Sequence, residues 1–166
     1  MLEIFHFSLL RLYNPIFSRS DQNSFLIRKG PRCDNGWFSL LSNLFSNILH
    51  YEESKKDDPL YSPIIILDIK EKFGRLNIYF ENGDDYVEGM INFAENMSLS
   101  ICECCGTNKS DILGYTDRYM SVVCKECYDR DDKYKKHGEF ISGSILNAPI
   151  YNLRKQIDDL LIKNNE

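Results

Sequence analysis

Pro63-Ile64-Ile65-Ile66-Leu67-Asp68-Ile69-Lys70-Glu71-Lys72-Phe73-Gly74-Arg75-Leu76-Asn77-Ile78-Tyr79-Phe80 is the stretch on which the architecture turns. It opens as a continuous apolar run and then alternates. That pattern suits a strand buried on both faces at one end and half exposed at the other. Gly74 supplies a turn. Beyond it, Leu76, Ile78 and Phe80 alternate with Asn77 and Tyr79, which reads as a second strand. The two segments are expected to pair as an antiparallel hairpin, and Asn82-Gly83 closes the second of them.

Helical patterns flank the hairpin. Upstream, Trp37, Leu40, Leu41, Leu44 and Ile48 recur on one face of a 3.6-residue period, behind the turn-forming residues Asp34, Asn35 and Gly36. Downstream, Asp85 stands three residues before Glu88 in a capping-box-like start, and Val87, Met90, Ile91, Ala94 and Met97 continue as an amphipathic helix. Met1–Tyr13 is apolar but carries Glu3, His6 and Arg11. It lacks the basic start and small-residue cleavage pattern of an export signal, and reads as a first core element. Asn14–Asn23 reads as a loop and Glu52–Pro59 as a charged connector. Asp129–Glu139 reads as a solvated charged run, and Phe140–Ala148 as small and polar. A last amphipathic helix is expected at 150–163, where Leu153, Ile157, Leu160 and Leu161 share a face.

With 166 residues, one domain spanning 1–166 is expected. The formal charge is −5, from 20 basic and 25 acidic residues, which argues against a protein held on nucleic acid by bulk charge. No apolar run approaches the ~20 residues of a membrane span.

Cysteines supply the most specific chemical signal. Cys102-x-x-Cys105-Gly106 is followed by Cys124-x-x-Cys127, while Cys33 stands apart. A disulfide framework would spread its cysteines along the chain, and in a reducing cytosol, the expected compartment, thiols persist. Two closely spaced thiolate pairs instead grip one cation tetrahedrally, with metal–sulfur distances near ~2.3 Å for zinc. The glycine after the second cysteine lets backbone amides face sulfur. Ile112–Thr116 and Tyr119–Val123, around Asp117-Arg118, read as a small hairpin, so 101–128 resembles a zinc ribbon. Cys104 opens alternative ligand sets. Cys102 with Cys105 keeps the two-residue spacing and the following glycine, which leaves Cys104 as a spare thiol and Cys33 as a semi-buried one. Four cysteines close the shell, so one structural Zn²⁺ per chain is expected, held by Cys102, Cys105, Cys124 and Cys127.

No phosphate-cradling glycine loop, nucleophile elbow or zinc-protease motif occurs. His6 reads as a satisfied core residue, His50 as a helix-end cation and His137 as a loop residue or substitute ligand. Glu81, Asp84, Asp85 and Glu88 form an acidic cluster that reads as a helix start, or alternatively as a divalent-metal site. Lys70, Glu71 and Lys72 beside the turn read as an exposed strand face, or alternatively as part of a site. From Ile101 to Phe140 basic and acidic residues nearly balance, although Lys109, Arg118 and Lys125 could segregate to one side.

Gly36-Trp37 opening a helix, Ile69-Lys70-Glu71-Lys72-Phe73-Gly74-Arg75-Leu76 with an aromatic second strand, and a helix leading into the cysteine pairs together resemble a group of small proteins of phages, prophages and bacterial mobile elements. The resemblance covers Cys33–Cys127. It implies a compact α+β body carrying a zinc ribbon with the four cysteines as its ligands, brings no known activity from which a catalytic residue could be carried over, and shifts the setting toward phage–host or mobile-element biology.

The expected fold is therefore α+β, a hairpin or small antiparallel sheet with packed helices and an appended four-cysteine ribbon. The expected function is a non-enzymatic, cytoplasmic, zinc-stabilised interaction module with a protein partner or a second copy, such as an inhibitor, immunity or defence-associated accessory protein. Its aromatic content, ten Tyr and ten Phe, favours protein interfaces. The alternatives are a nucleic-acid-binding ribbon and a metal-dependent enzyme built on the acidic cluster at 81–88.

Overall fold

A computed structural model describes residues 1–148, so the helix expected at 150–163 lies outside the described residues. The architecture is α+β with two small antiparallel sheets and several helices. The described residues form two hydrophobic clusters, a body, which includes Cys33, and a smaller lobe carrying the two cysteine pairs.

The body starts with three helices, α1 Glu3–Leu12, α2 Asn14–Phe17 and α3 Phe25–Lys29. α2 replaces the loop expected at Asn14–Asn23. Pro15 fits its first turn, where no amide is needed, and Ile16 and Phe17 are buried in the core. A 3₁₀ turn, Asn35–Trp37, leads into α4, Phe38–Ser54, which buries Leu41, Leu44, Phe45 and Ile48. Glu52, expected in a solvated connector, accepts both Arg19 guanidinium nitrogens at 3.0 and 2.7 Å and the Ile64 amide at 2.9 Å.

The hairpin forms as β1 Ile65–Lys72 and β2 Arg75–Glu81. Its register shifts at Leu67, between the pairs Ile66–Phe80 and Asp68–Tyr79. This bulge inserts one residue, so Ile66 and Ile69 both point inward although three apart, and Leu67 is turned out, 43% exposed. The apolar run is thus not buried on both faces. Phe73 and Gly74 both have positive φ, 58° and 76°, as a two-residue hairpin turn requires.

α5, Asp85–Ser98, packs Val87, Ile91 and Ala94 against the body. Its cap is Asp84, not Asp85. The Asp84 carboxylate accepts from the Tyr86 and Val87 amides at 3.2 Å each, and from the Tyr51 hydroxyl at 2.6 Å. Glu95 of α5 accepts from the Ile78 amide at 2.7 Å and from Arg75 at 3.0 Å.

The lobe contains β3 Leu113–Thr116, β4 Val122–Cys124, α6 Lys125–Arg130, α7 Asp132–Lys136 and β5 Phe140–Ser142. β3 pairs with β4 as the expected hairpin, and β5 completes an antiparallel sheet in the order β4-β3-β5. Two readings are corrected here. The charged run at 129–139 is not simply solvated, because α7 buries Tyr134 completely. The small polar segment at 140–148 contributes a strand and buries Ile145 in the lobe.

No helix among the described residues is long and apolar enough to cross a membrane.

Candidate metal centre

The first cysteine pair lies in a tight turn just after α5. The Cys102 amide donates to the Thr107 carbonyl and the Gly106 amide to the Cys102 carbonyl, both at 2.8 Å. Gly106 has φ +80°, and a Cβ there would lie 2.8 Å from the Gly36 carbonyl oxygen. The second pair comes from a strand-to-helix junction: Cys124 ends β4 and Cys127 sits in the first turn of α6. β-sheet pairing of Leu113 with Cys124 fixes where this junction falls.

The four sulfurs of Cys102, Cys105, Cys124 and Cys127 all lie within 4.8 Å of one another, and the Cys105 and Cys124 sulfurs are 3.8 Å apart. A tetrahedron of sulfurs around a cation with ~2.3 Å bonds has edges of about 3.8 Å. The cluster therefore fits one metal ion. Cys102, Cys124 and Cys127 are buried, and Cys105 is at the surface.

Hydrogen-bond donors surround these sulfurs. The Cys124 amide donates to the Cys102 sulfur at 3.2 Å. The Arg130 guanidinium reaches the Cys127 sulfur at 3.3 Å and that of Cys104 at 3.7 Å. Burial pushes the Cys102 thiol up to about 12, against the pull of the Cys105 and Cys124 amides. Burial also pushes Cys127 up, with the Cys124 sulfur adding to it. Burial acts upward on Cys105 as well, but the Thr107 amide and the surrounding sulfurs outweigh it and lower that thiol. Buried thiols that resist ionising singly become four thiolates when a divalent cation supplies the compensating charge.

Cys104 does not join the cluster. It is half-buried, beside Arg130. Cys33 is more than semi-buried, at 5% exposure, and burial raises its thiol. His137 is no substitute ligand, since its Nδ1 lies 3.0 Å from the Ser121 hydroxyl and away from the sulfurs. His6 is buried as expected but not satisfied, because its Nε2 has no partner among the described residues. Among the described residues, the four cysteines are the one group of three or more metal-ligating side chains close enough to share an ion. Glu81, Asp84, Asp85 and Glu88 form no such group.

The turn that carries the first cysteine pair is clamped to the body. The Gly36 amide donates to the Glu103 carbonyl at 2.7 Å, the Asp34 amide to Glu103 Oε1 at 3.2 Å, and the Trp37 indole to the Ile101 carbonyl at 3.1 Å. Asp34 in turn accepts from Lys133 Nζ at 2.5 Å and from the Tyr134 hydroxyl. Burial acts upward on the Asp34 carboxyl, but the Lys133 and Tyr134 donors outweigh it and hold the group below the usual range.

Glu103 is only 4% exposed, and burial, reinforced by the charges of Asp34 and Glu71, pushes it up to about 8. Sequence reading missed Glu103. Inside Cys-Glu-Cys-Cys it looks like any surface residue of a metal turn. Its neighbours come from the Asp34 and Glu71 segments, distant in the chain. Lys70, Glu71 and Lys72 divide in role: Lys70 pairs with Asp68 at 3.4 Å and covers the Tyr79 ring at 4.2 Å, Glu71 accepts from the Gly74 amide at 2.6 Å, and Lys72 is exposed.

Comparison with protein-family models, with curated proteins and with solved structures finds no match to this chain.

Proposed function

We propose that the chain is a non-enzymatic interaction module whose small lobe is stabilised by one structural zinc ion. The observation that carries this reading is the convergence of four cysteine sulfurs in a mostly buried cluster. Four thiolates fill a tetrahedral shell and leave no position for a substrate or an activated water, which is the mark of a structural rather than a catalytic centre. Zinc suits this donor set because its filled d shell imposes no competing geometry. Iron is the other ion for which an all-sulfur tetrahedron is typical. The partner is a protein. The resemblance over Cys33–Cys127 gives it a setting, an inhibitor, immunity or defence-associated role in phage–host or mobile-element biology, in the cytoplasm.

Elemental analysis of the purified protein is expected to give one zinc per chain, and cobalt substitution a four-thiolate charge-transfer spectrum. Cys102→Ser and Cys124→Ser are expected to lose the metal and unfold the lobe. Stoichiometric iron, or a cobalt spectrum with a bound water, would overturn the structural-zinc reading. Affinity capture from the native host is expected to retain a protein partner that survives nuclease treatment and is lost with Cys124→Ser. Nuclease-sensitive capture would favour nucleic acid instead.

A further inference from the structure

α5 carries more apolar surface than the fold uses. Its sequence places Val87, Met90, Ile91, Ala94 and Met97 on one amphipathic face, but of these only Val87, Ile91 and Ala94 are buried. Met90 is half-buried at the edge of the core, and Met97 is 37% exposed. Tyr86 and Phe93 stand 60% and 67% exposed. Tyr86, Met90, Phe93 and Met97 follow one another at spacings of four, three and four residues, the period of about 3.5 that marks a coiled-coil seam. On a helix with about 3.6 residues per turn they line one narrow stripe. No charge interrupts it. Glu88 and Glu95 fall on the opposite side of the helix, Glu95 tied to Arg75 and the Ile78 amide, and the exposed residues beside the stripe are Asn92 and Asn96. Tyr86 is fixed in place, its ring centroid 4.5 Å from that of Tyr51, whose hydroxyl donates to the Asp84 carboxylate that caps the helix.

We propose that this stripe is the contact through which two copies of the chain associate, α5 against α5 and antiparallel. The order of the side chains selects that arrangement. In a two-fold pair, a residue i that meets j in the other copy is itself met by j. With the axis passing at the level between Ile91 and Asn92, Tyr86 meets Met97 and Met90 meets Phe93. All four layers then pair a methionine with an aromatic ring, a contact favourable in its own right. A parallel pair would stack like on like, Tyr86 on Tyr86 and Met90 on Met90. Charge points the same way. Two copies of a chain with a formal charge of −5 repel, so they meet where carboxylates are absent. A Tyr, Met and Phe stripe beside asparagine amides, which both donate and accept, meets that condition and has the composition of an interface core. Area sets the strength. A fully buried Tyr or Phe removes about 150–250 Å² from water, so at these exposures the stripe offers roughly 300–400 Å² per copy. That is below the ~800 Å² each partner gives to a stable complex, so the dimer is a weak one, with a dissociation constant of about 100 μM.

The test is sedimentation of the whole metal-loaded chain from about 10 μM to about 1 mM. The apparent mass is expected to rise from one chain toward two. Raising salt from about 0.05 to about 0.5 M is expected to tighten the dimer about twofold, because screening relieves repulsion between the copies. Phe93→Glu, which sets a carboxylate on each side of the axis, is expected to keep the chain monomeric with its metal content and melting temperature unchanged, since Phe93 is exposed in the single chain. Met97→Glu acts in the same direction and carries the test if Phe93→Glu does not fold. In a mixture of two isotope labellings, NOEs between copies are expected from the Met97 methyl to Tyr86 and from the Met90 methyl to Phe93. A chain that stays monomeric at the highest concentration, whether the stripe lies open or another occupant covers it, would overturn the assignment. So would a dimer that persists in Phe93→Glu, a dimer that salt weakens, or contact of Met97 with Met97 of the other copy in place of Tyr86. These outcomes leave the metal centre and the foreign partner untouched, since elemental analysis and affinity capture test those separately.

Discussion

At Gly36 a methyl group has nowhere to go: an added Cβ would overlap the Cys102 carbonyl oxygen and lie 2.6 Å from that of Glu103. Both are backbone atoms of the first cysteine turn and cannot swing aside. Gly36→Ala is expected to destabilise the protein by about 2 kcal/mol or more, read by urea denaturation. Gly89, inside α5 with nothing within 4 Å of an added Cβ, is the contrasting case. Gly89→Ala is expected to stabilise by about 0.5–1 kcal/mol through helix propensity. Asp34 supplies a pH test. Its carboxyl is depressed in the folded protein, so its contribution is present above its unfolded value near ~3.9 and is lost as pH falls through the folded value. The stability gap between the protein and Asp34→Asn is expected to be about 1–2 kcal/mol near neutrality, discounted for a half-exposed Lys133, and to close below about pH 4. At this scale the convergence of the four cysteines was legible, because two Cys-x-x-Cys turns at this separation are the spacing that a shared cation requires. Glu103 was not, because what makes it unusual is a neighbourhood assembled from remote segments.

Elements were legible where one face is apolar throughout. α4, α5 and β2 follow their periodicities. The register of the hairpin did not follow, since Leu67 and Ile69 look in phase until a bulge between Ile66 and Asp68 separates them. α7 failed for the opposite reason: one aromatic, Tyr134, carries its whole burial, and five residues with a single buried anchor give no period to read. β5 escaped because a three-residue strand is defined by its partner, β3. Glu95 shows how an element is held by a single polar side chain. It is 12% exposed, and burial raises its carboxyl against the opposing pull of the Ile78 amide and Arg75. Glu95→Ala leaves the Ile78 amide and the Arg75 guanidinium without this acceptor. It is expected to cost about 2–3 kcal/mol in chemical denaturation, with Glu95→Gln recovering part of the loss.

The described residues of the molecule join two hydrophobic clusters of unequal size. The body has its own helices and hairpin. The lobe holds only short elements, and the zinc proposed for its four cysteines would contribute on the order of 10 kcal/mol of apparent folding free energy. Chelation is therefore expected to open the lobe first, with amide exchange protection lost across β3, β4 and β5 while α4, β1, β2 and α5 stay protected. Simultaneous loss in both regions would show instead that the clusters fold as one unit. The joint between them includes Trp37, fully buried, its indole N–H bonded to the carbonyl of the residue preceding Cys102. Because this is the chain's single tryptophan, its emission colour is a built-in gauge of whether lobe and body remain seated. A red shift on adding a chelator, reversed by returning the ion, would time their parting and reunion in solution without any label.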